Sequence, residues 1–247
     1  MPRRGRTKST TGVYHVMIRG INQQNIFEDD EDCIMMLQII NEVKAVSEFK
    51  LFAYCLMGNH CHFLLKEESE HLEQIIKRIG ARYVYWFNVK YKRVGHLFQD
   101  RYKSEAIEND KYLLSVLRYI HQNPMHAGLC TGISEYEWSS YKEYTGKQHI
   151  VDTEFIFSLL DKKGFEEFNK SMSADKYMDC EKTTFRISDA DAKKIIAEIS
   201  KCENAAEFQQ MDSSAQRKLL KSFKEAGMSI RQINRLTGVS KGIIERS

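Results

Sequence analysis

The chain has little proline, no acidic residue near its beginning and no long apolar run. Its 247 residues include 2 prolines and 13 glycines, which are too few for a low-complexity or disordered chain. No apolar run approaches the roughly 20 residues of a membrane span, and the first residues lack the apolar segment of a secretory signal peptide. The 6 cysteines form no CxxC pair, which argues against a cysteine-based metal or redox motif. These absences predict a folded protein of the reducing cytoplasm.

The charges are distributed unevenly along the chain. No acidic residue precedes Glu28, whereas this stretch contains the basic residues Arg3, Arg4, Arg6, Lys8 and Arg19. From residue 214 onward there are 8 lysines and arginines against 2 glutamates. Two basic ends indicate contacts with a polyanion such as nucleic acid. For the N-terminal arm, a merely solvated tail remains the alternative.

Hydrophobic periodicity predicts the element order β-α-β-β-α-β-α over the first part of the chain. The predicted strands are 12–19, 50–57, 60–66 and 96–107, and the predicted helices are 29–47, 70–92 and 110–123. The last helix is expected to end before Pro124, because proline restricts the residue that precedes it. This order is that of an α+β, ferredoxin-like split βαβ fold, an antiparallel sheet with packed helices.

Beyond residue 147 the segments 152–160, 164–172, 189–201 and 213–226 are predicted to be helical, with polar stretches between them. We expect a first domain at 1–147, a helical linker region at 148–185 and an all-helical domain at 186–247. The segment 227–244 resembles a helix-turn-helix, with Thr237-Gly238-Val239 as the turn and Ser240 as the cap of the second helix. Arg231, Ser240 and Lys241 would then contact DNA, the latter two in the major groove. A plain helical hairpin for packing or oligomerisation is the alternative.

The run MGNHCHFLL contains two histidines, His60 and His62, in a predicted strand. Side chains alternate across a strand, so both imidazoles project from one face while Cys61 points to the other. Two imidazoles side by side on a stiff element make half of a divalent-metal site. The alternative is a pair of ordinary polar residues on an exposed sheet face.

A second group of residues lies on the predicted helix 110–123. Tyr119 and Asn123 are separated by four residues and therefore lie together on one helix face. The histidines and the Asn123 side-chain oxygen would hold a divalent ion that polarises a phosphodiester, and Tyr119 would attack the phosphorus. A phenol has a pKa near 10, so it needs a nearby cation to act at neutral pH. Tyr112 shares this face and is a rival nucleophile.

Several motifs carry a resemblance to a known family. MGNHCHFLL followed by RYIHQNP resembles the HUH-plus-tyrosine pattern of single-tyrosine transposases, and GHLFQDRYKS and NPMHAGL resemble their REP-associated branch. The likeness runs from about residue 2 to residue 144. It implies a ferredoxin-like catalytic domain acting on hairpin-bearing single-stranded DNA. In it, His60 and His62 bind Mg²⁺ or Mn²⁺, Asn123 is a third ligand, and Tyr119 forms a 5′-phosphotyrosine link. Ligand softness alone would also allow Zn²⁺.

Basic residues outside the catalytic group are candidates for DNA contacts. Arg101 and Lys103, on the predicted fourth strand, suit phosphate, although a solvated strand edge would look the same. Arg78 and Arg82 on the long helix 70–92 are similar candidates. The N-terminal arm and first strand add Arg3, Arg4, Arg6 and Arg19.

The sequence thus favours a metal-dependent DNA strand-transferase, and it leaves two other functions open. One is a relaxase or replication initiator that nicks duplex DNA with the same chemistry, and the other is a non-catalytic DNA-binding regulator derived from a transposase. No GxxxxGK[ST] loop is present, which agrees with strand transfer that needs no nucleotide. The C-terminal region could bind duplex DNA, and no membrane partner is expected. A monomer is expected if Tyr119 meets its own histidines, and a homodimer if subunits exchange the tyrosine helix.

Overall fold

The computed structural model describes residues 7–146, 149–171, 189–202 and 205–247. The chain divides into two compact units, residues 1–183 and 184–247. Arg3, Arg4 and Arg6 lie outside the described residues. The division into catalytic, linker and DNA-binding segments stays a prediction.

The first unit is built on a four-stranded antiparallel sheet. Its strands are β1 (Val13–Arg19), β2 (Lys50–Met57), β3 (His60–Lys66) and β4 (Lys103–Ile107), in the order β2-β3-β1-β4. The helices are α1 (Asp30–Ser47) between β1 and β2, α2 (Leu72–Lys90) between β3 and β4, and α3 (Asp110–His126) after β4. This is the predicted ferredoxin-like split βαβ topology.

The two faces of the sheet carry different helices. α1 and α2 pack against each other, and the general right-handedness of β-helix-β crossovers places both on one face. Alternation along β3 directs Cys61 and Phe63 to that side, and burial raises the pKa of the Cys61 thiol well above its usual value. The opposite face carries His60 and His62 and is covered by α3. The sheet therefore separates a purely structural layer from the candidate site.

Ion pairs and a cap join α1 to α2. Asp29 caps α1 in a capping box with Asp32, a device that stabilises a helix by about 1 kcal/mol. Lys90, at the end of α2, contacts Asp29 at 2.7 Å and the fully buried Asp32 at 2.9 Å. The start of α1 and the end of α2 are thereby held together.

The segment after α3 runs back along β2, an edge strand of the sheet. It contains the helices α4 (Tyr141–Thr145), α5 (Glu154–Leu159) and α6 (Lys162–Lys170). Its backbone pairs with β2 through Leu56 N to Trp138 O (2.8 Å), Ser140 N to Tyr54 O (3.0 Å) and Asp152 N to Leu51 O (2.7 Å). These bonds satisfy backbone groups that an open edge would leave to water or to another chain. Part of the predicted linker therefore packs within the first unit.

Two element boundaries differ from the prediction by more than two residues. β4 begins at Lys103 rather than His96, because residues 97–99 instead bond to the chain just after β1: Ile21 N donates to Leu97 O and Gln99 N to Arg19 O, both at 2.9 Å. α3 continues through Pro124 to His126. Proline removes only one helix hydrogen bond, and two residues before the helix end this loss is small enough for packing to outweigh it.

The second unit is helical, as predicted. Its helices are α7 (Asp189–Ser200), α8 (Ala205–Gln210), α9 (Ser213–Glu225), α10 (Ile230–Thr237) and α11 (Lys241–Glu245). They enclose a core that includes Phe208, Leu220, Phe223, Ile233 and Ile244. Gly238, between α10 and α11, has a left-handed backbone with φ +72°. Among the helices described in both units, none has both the length and the hydropathy of a membrane span.

Candidate active site

Strand register brings the two histidines to the middle of the sheet. β3 lies between β2 and β1, and it pairs with β1 so that His62 faces Met17 and His60 faces Arg19. Both histidine side chains are fully buried. Their ring centroids are 5.0 Å apart and the ring planes are nearly perpendicular. Two imidazoles thus meet on one face, as the alternation of β3 predicts.

α3 brings the tyrosine and the asparagine to the histidines of the same chain. The Tyr119 ring lies 5.8 Å from the His62 ring, and Tyr119 is 9% exposed. One turn later, Asn123 Nδ2 is 3.4 Å from His62 Nε2. The two ends of an amide exchange by a half-turn about its last torsion, so the Asn123 oxygen can take the same place. The structure therefore brings together the four residues singled out from the sequence.

Asn59 orients His60. The His60 Nδ1–H donates to Asn59 Oδ1 at 2.7 Å, since this amide oxygen can only accept. Asn59 is in turn fixed by the loop after β1, because Gly20 N donates to Asn59 O at 2.9 Å. The β2–β3 turn thus holds the His60 ring with its Nε2 on the side away from Asn59.

His15 and Glu105 join the site although the sequence analysis did not identify them. His15 Nε2 is 2.9 Å from His62 Nδ1, and His15 Nδ1 is 3.8 Å from Glu105 Oε2. The nearby His15 imidazole and the Tyr112 phenol keep the pKa of Glu105 below its usual value, although partial burial acts in the opposite direction. The rival nucleophile Tyr112 donates its phenol to Glu105 Oε1 at 2.7 Å.

A buried polar network fixes α3 against the segment that follows it. His121 lies between Asn169 Oδ1 (2.9 Å) and Ser140 Oγ (3.0 Å), and all three residues are fully buried. Burial lowers the pKa of His121 to about 4, although its hydrogen bond to Asn169 acts in the opposite direction. Gln122 adds a bond to the backbone oxygen of Asn169 at 2.7 Å. These contacts set the rotation of α3 that presents Tyr119 and Asn123 to the histidines.

The predicted DNA-contacting residues of the first unit fall into two groups. Arg19 and Lys103 lie on the sheet face of the histidines, since Arg19 pairs with His60 and Lys103 with Met17 in the strand register. Arg101 is exposed just before β4. Arg78 and Arg82 lie on α2, on the other side of the sheet, and they pair with Glu70 (2.8 Å) and Glu42 (2.9 Å). The structure does not bring Arg78 and Arg82 to the candidate site.

In the second unit, Ser240 and Lys241 are exposed at the start of α11. Arg231 belongs to α10, and its side chain lies outside the described residues.

The donor set of the site fits a divalent cation. Two imidazole nitrogens suit Zn²⁺ and similar transition metals, and an amide oxygen with added water ligands suits Mg²⁺ or Mn²⁺. Among the described residues, no three His, Cys, Asp or Glu side chains are grouped as a metal site, so a third protein ligand would be an amide such as Asn123. The orientation of both histidines by a second hydrogen bond is also a common feature of metal-binding imidazoles.

A family model described as "Transposase IS200 like" matches residues 8–123. No curated protein matches the chain significantly. A solved REP-associated tyrosine transposase bound to a REP hairpin is similar in fold, with a TM-score of 0.55 and 16% identity, covering 74% of this chain and 98% of that one. A transposase-like structure from Deinococcus radiodurans aligns at a TM-score of 0.35 and 16% identity, covering 49% of this chain and 97% of that one.

Proposed function

We propose that the chain cleaves and rejoins single-stranded, hairpin-bearing DNA through a 5′-phosphotyrosine intermediate, because residues 8–123 match the family model of IS200-like transposases. One observation carries the proposal: Tyr119 and Asn123 face His60 and His62 of the same chain, with the Tyr119 and His62 rings 5.8 Å apart. The similarity in fold to a transposase solved with a DNA hairpin supports the choice of substrate. DNA as substrate is also why we propose a cytoplasmic location.

The metal is part of the proposal. His60, His62 and Asn123 would hold Mg²⁺ or Mn²⁺, and the bound ion would polarise the phosphodiester and offset its negative charge. His60 and His62 are placed for this by the bonds to Asn59 and His15, which leave their Nε2 atoms on the remaining side.

In the proposed reaction Tyr119 is the nucleophile. Its phenol loses a proton, the Tyr119 Oη–P bond forms, the P–O3′ bond breaks, and the departing 3′ oxygen takes up a proton. α3 contributes by holding the phenol in a nearly buried position on the site face, which lowers the entropic cost of the attack. One phosphoester replaces another, so the link retains the bond energy and a free 3′-OH can later displace Tyr119. No nucleotide is required.

The decisive experiment is covalent capture of DNA. Purified protein is incubated with labelled single-stranded hairpin DNA and Mg²⁺ or Mn²⁺, then run on a denaturing gel. We expect a band of protein plus DNA that disappears with EDTA and in Tyr119→Phe, while Tyr119→Phe still binds the DNA. Tyr112→Phe is the matched control on the same helix face and should still form the adduct. An adduct that persists in Tyr119→Phe would refute the assignment.

The same assay separates the other candidate functions. Nicking of supercoiled duplex DNA without cleavage of folded single strands would favour a relaxase or replication initiator. Binding that is independent of metal, with no cleavage of several hairpin substrates, would favour the non-catalytic regulator.

The geometry within one chain supports a site that works as a monomer. A mixing experiment distinguishes the two arrangements. Tyr119→Phe and His62→Ala, each inactive alone, should stay inactive when combined. Recovery of adduct formation in the mixture would show that a homodimer exchanges the tyrosine helix.

We also propose the DNA contacts. Arg19, Arg101 and Lys103 are the favoured phosphate contacts, because they lie beside the histidine face or next to β4. Arg3, Arg4 and Arg6 remain candidates on the basis of sequence. Arg78 and Arg82 could contact DNA only if the DNA passed around the side of the sheet that carries α2.

The second unit is proposed as a helix-turn-helix-like module for duplex DNA. Two helices joined through the left-handed Gly238 support this, as do Ser240 and Lys241 exposed at the start of α11, with Arg231 as a further predicted contact. Lys241→Ala should weaken duplex binding in a salt-dependent manner. Lys193→Ala, at an exposed lysine of α7, is the control. Equal binding by both variants would favour the helical-hairpin alternative.

A further inference from the structure

We propose that His15 and Glu105 are positioning residues, which fix the ring and the proton of His62 so that its Nε2 is presented to the metal. The inference rests on the proposed function, because it assigns roles around the same site. It adds two residues from two further strands to the predicted group.

The three side chains form a row across the sheet. β1 lies between β3 and β4, and the register puts His15 directly opposite Glu105. The His15 and His62 ring centroids are 5.2 Å apart with an interplanar angle of 29°, so the two rings meet edge to edge, and both residues are fully buried. The contact from His15 Nε2 to His62 Nδ1 is 2.9 Å, and that from His15 Nδ1 to Glu105 Oε2 is 3.8 Å.

With both imidazoles neutral, only one order of protons suits this row. A neutral imidazole has one N–H and one lone pair, and a carboxylate only accepts. His15 therefore directs its Nδ1–H towards Glu105, so its Nε2 accepts from the Nδ1–H of His62. The lone pair of His62 is then on Nε2, the atom that faces Asn123 at 3.4 Å. The reverse order would turn a lone pair of His15 towards the carboxylate.

Glu105 is itself held in place. The Tyr112 phenol donates to its second oxygen, Oε1, at 2.7 Å, and the Glu105 side chain is 38% exposed. The row therefore begins at the partly exposed Glu105 carboxylate and ends at the fully buried His62 ring. His60 has the equivalent support from Asn59, so each histidine of the pair has its own orienting partner. Such partners typically change metal affinity by roughly 10–100-fold.

The first test uses metal-free protein. Nitrogen-15 NMR of histidine-labelled protein reports which ring nitrogen carries the proton, and the His62 signals are assigned by their loss in His62→Gln. We expect His62 to carry its proton on Nδ1 in the wild type. Protonation of Nε2 instead would overturn the proposal.

The second test measures Mn²⁺ affinity by titration, with free Mn²⁺ followed by electron paramagnetic resonance. His15→Leu fills the space but cannot accept, so we expect Mn²⁺ binding to weaken by roughly 10–100-fold. His15→Gln can place an amide oxygen near the position of the ring Nε2 and should restore most of the affinity. Val16→Ala, on the same strand but the opposite face, should lower the melting temperature and leave Mn²⁺ affinity unchanged.

Glu105→Gln keeps a partner for Tyr112 and provides a variant should His15→Leu not fold. We expect it to weaken Mn²⁺ binding several-fold. Wild-type affinity in a folded His15→Leu, or in Glu105→Gln, would overturn the positioning role. If the wild type has the expected Nδ1 proton but binds no Mn²⁺, the proposed metal chemistry fails while the orientation of His62 by His15 stands.

Discussion

At the scale of single residues, His121 shows how a neutral histidine can be a structural requirement. It lies two residues from both Tyr119 and Asn123, but it faces the opposite way, into contacts with Asn169 and Ser140. A protonated imidazole would have two donors, and no water reaches this fully buried ring to solvate its charge. The packing of α3 against the segment that follows it therefore depends on the His121 ring staying uncharged.

This dependence predicts a loss of stability in acid. The unfolded chain takes up the His121 proton below about pH 6.5, whereas the folded protein takes it up only near pH 4. The contribution of the neutral His121 ring to the unfolding free energy is thus lost as the pH falls from about 6.5 to about 4. Between pH 7 and pH 5 the wild type should lose about 2 kcal/mol more unfolding free energy than His121→Gln. Urea unfolding at both pH values measures this, and equal losses would contradict the prediction.

The chemistry-bearing residues could be predicted because their spacing has a fixed geometric meaning. A spacing of two residues on β3 places His60 and His62 on one face of the sheet. A spacing of four residues on α3 places Tyr119 and Asn123 on one face of the helix. His15 was missed, although it projects from β1 on the same side as Arg19. A single sequence does not give the register between strands, so it could not show that His15 lies next to His62. The role of Glu105 depends on the same register.

At the scale of elements, the turn that carries His60 is held by a very close approach at Gly20. A Cβ at Gly20 would lie 2.2 Å from the backbone oxygen of Gln24 and 2.9 Å from the Ile26 side chain. The same loop bonds to the β2–β3 turn through Ile26 N and Phe27 N, both donating to Gly58 O. The loop and the turn therefore move together.

Gly20→Ala should accordingly disturb both stability and the site. We expect a loss of about 1–3 kcal/mol from overpacking, together with weaker Mn²⁺ binding as the Asn59–His60 contact shifts. Gly80→Ala is the matched control, because a Cβ there meets only Phe98 at 3.6 Å. Within a helix that change should stabilise by about 0.5–1 kcal/mol. Denaturant melts and Mn²⁺ titrations of both variants check this, and a harmless Gly20→Ala would contradict the coupling.

The limits of a helix or strand could be predicted where a single hydrophobic periodicity continued without interruption. β2 and β3 have the predicted limits because alternation and burial agree over their whole length. The predicted β4 was too long because Leu97 and Phe98 look like strand residues, yet Leu97 bonds to the loop after β1. α4 was missed because a helix of five residues has little periodicity to detect.

At the scale of the whole molecule, the first unit needs residues beyond the boundary predicted at 147. Phe165 is fully buried and stacks on Tyr144 at 4.5 Å, and Asn169 supplies the partner of His121. A fragment 1–147 would expose these surfaces to water. Burial of one aromatic side chain alone contributes about 2–3 kcal/mol.

We therefore expect the fragment 1–183 to unfold cooperatively and to form the DNA adduct. The fragment 1–147 should melt at a markedly lower temperature or aggregate. Thermal melts followed by circular dichroism compare the two. Equal melting temperatures would mean that α5 and α6 are dispensable and that the boundary at 147 is the correct one.

The spread of the site along the chain has a consequence for protein synthesis. The ribosome releases these residues in the order His15, His62, Asn123 and Asn169. The helix α3, which carries Tyr119, can complete its packing only when α6 has emerged. A nascent chain would therefore expose the histidine pair well before it could attack a phosphodiester. Under the proposed function, translation products that end before α6 would carry no DNA-cleaving activity.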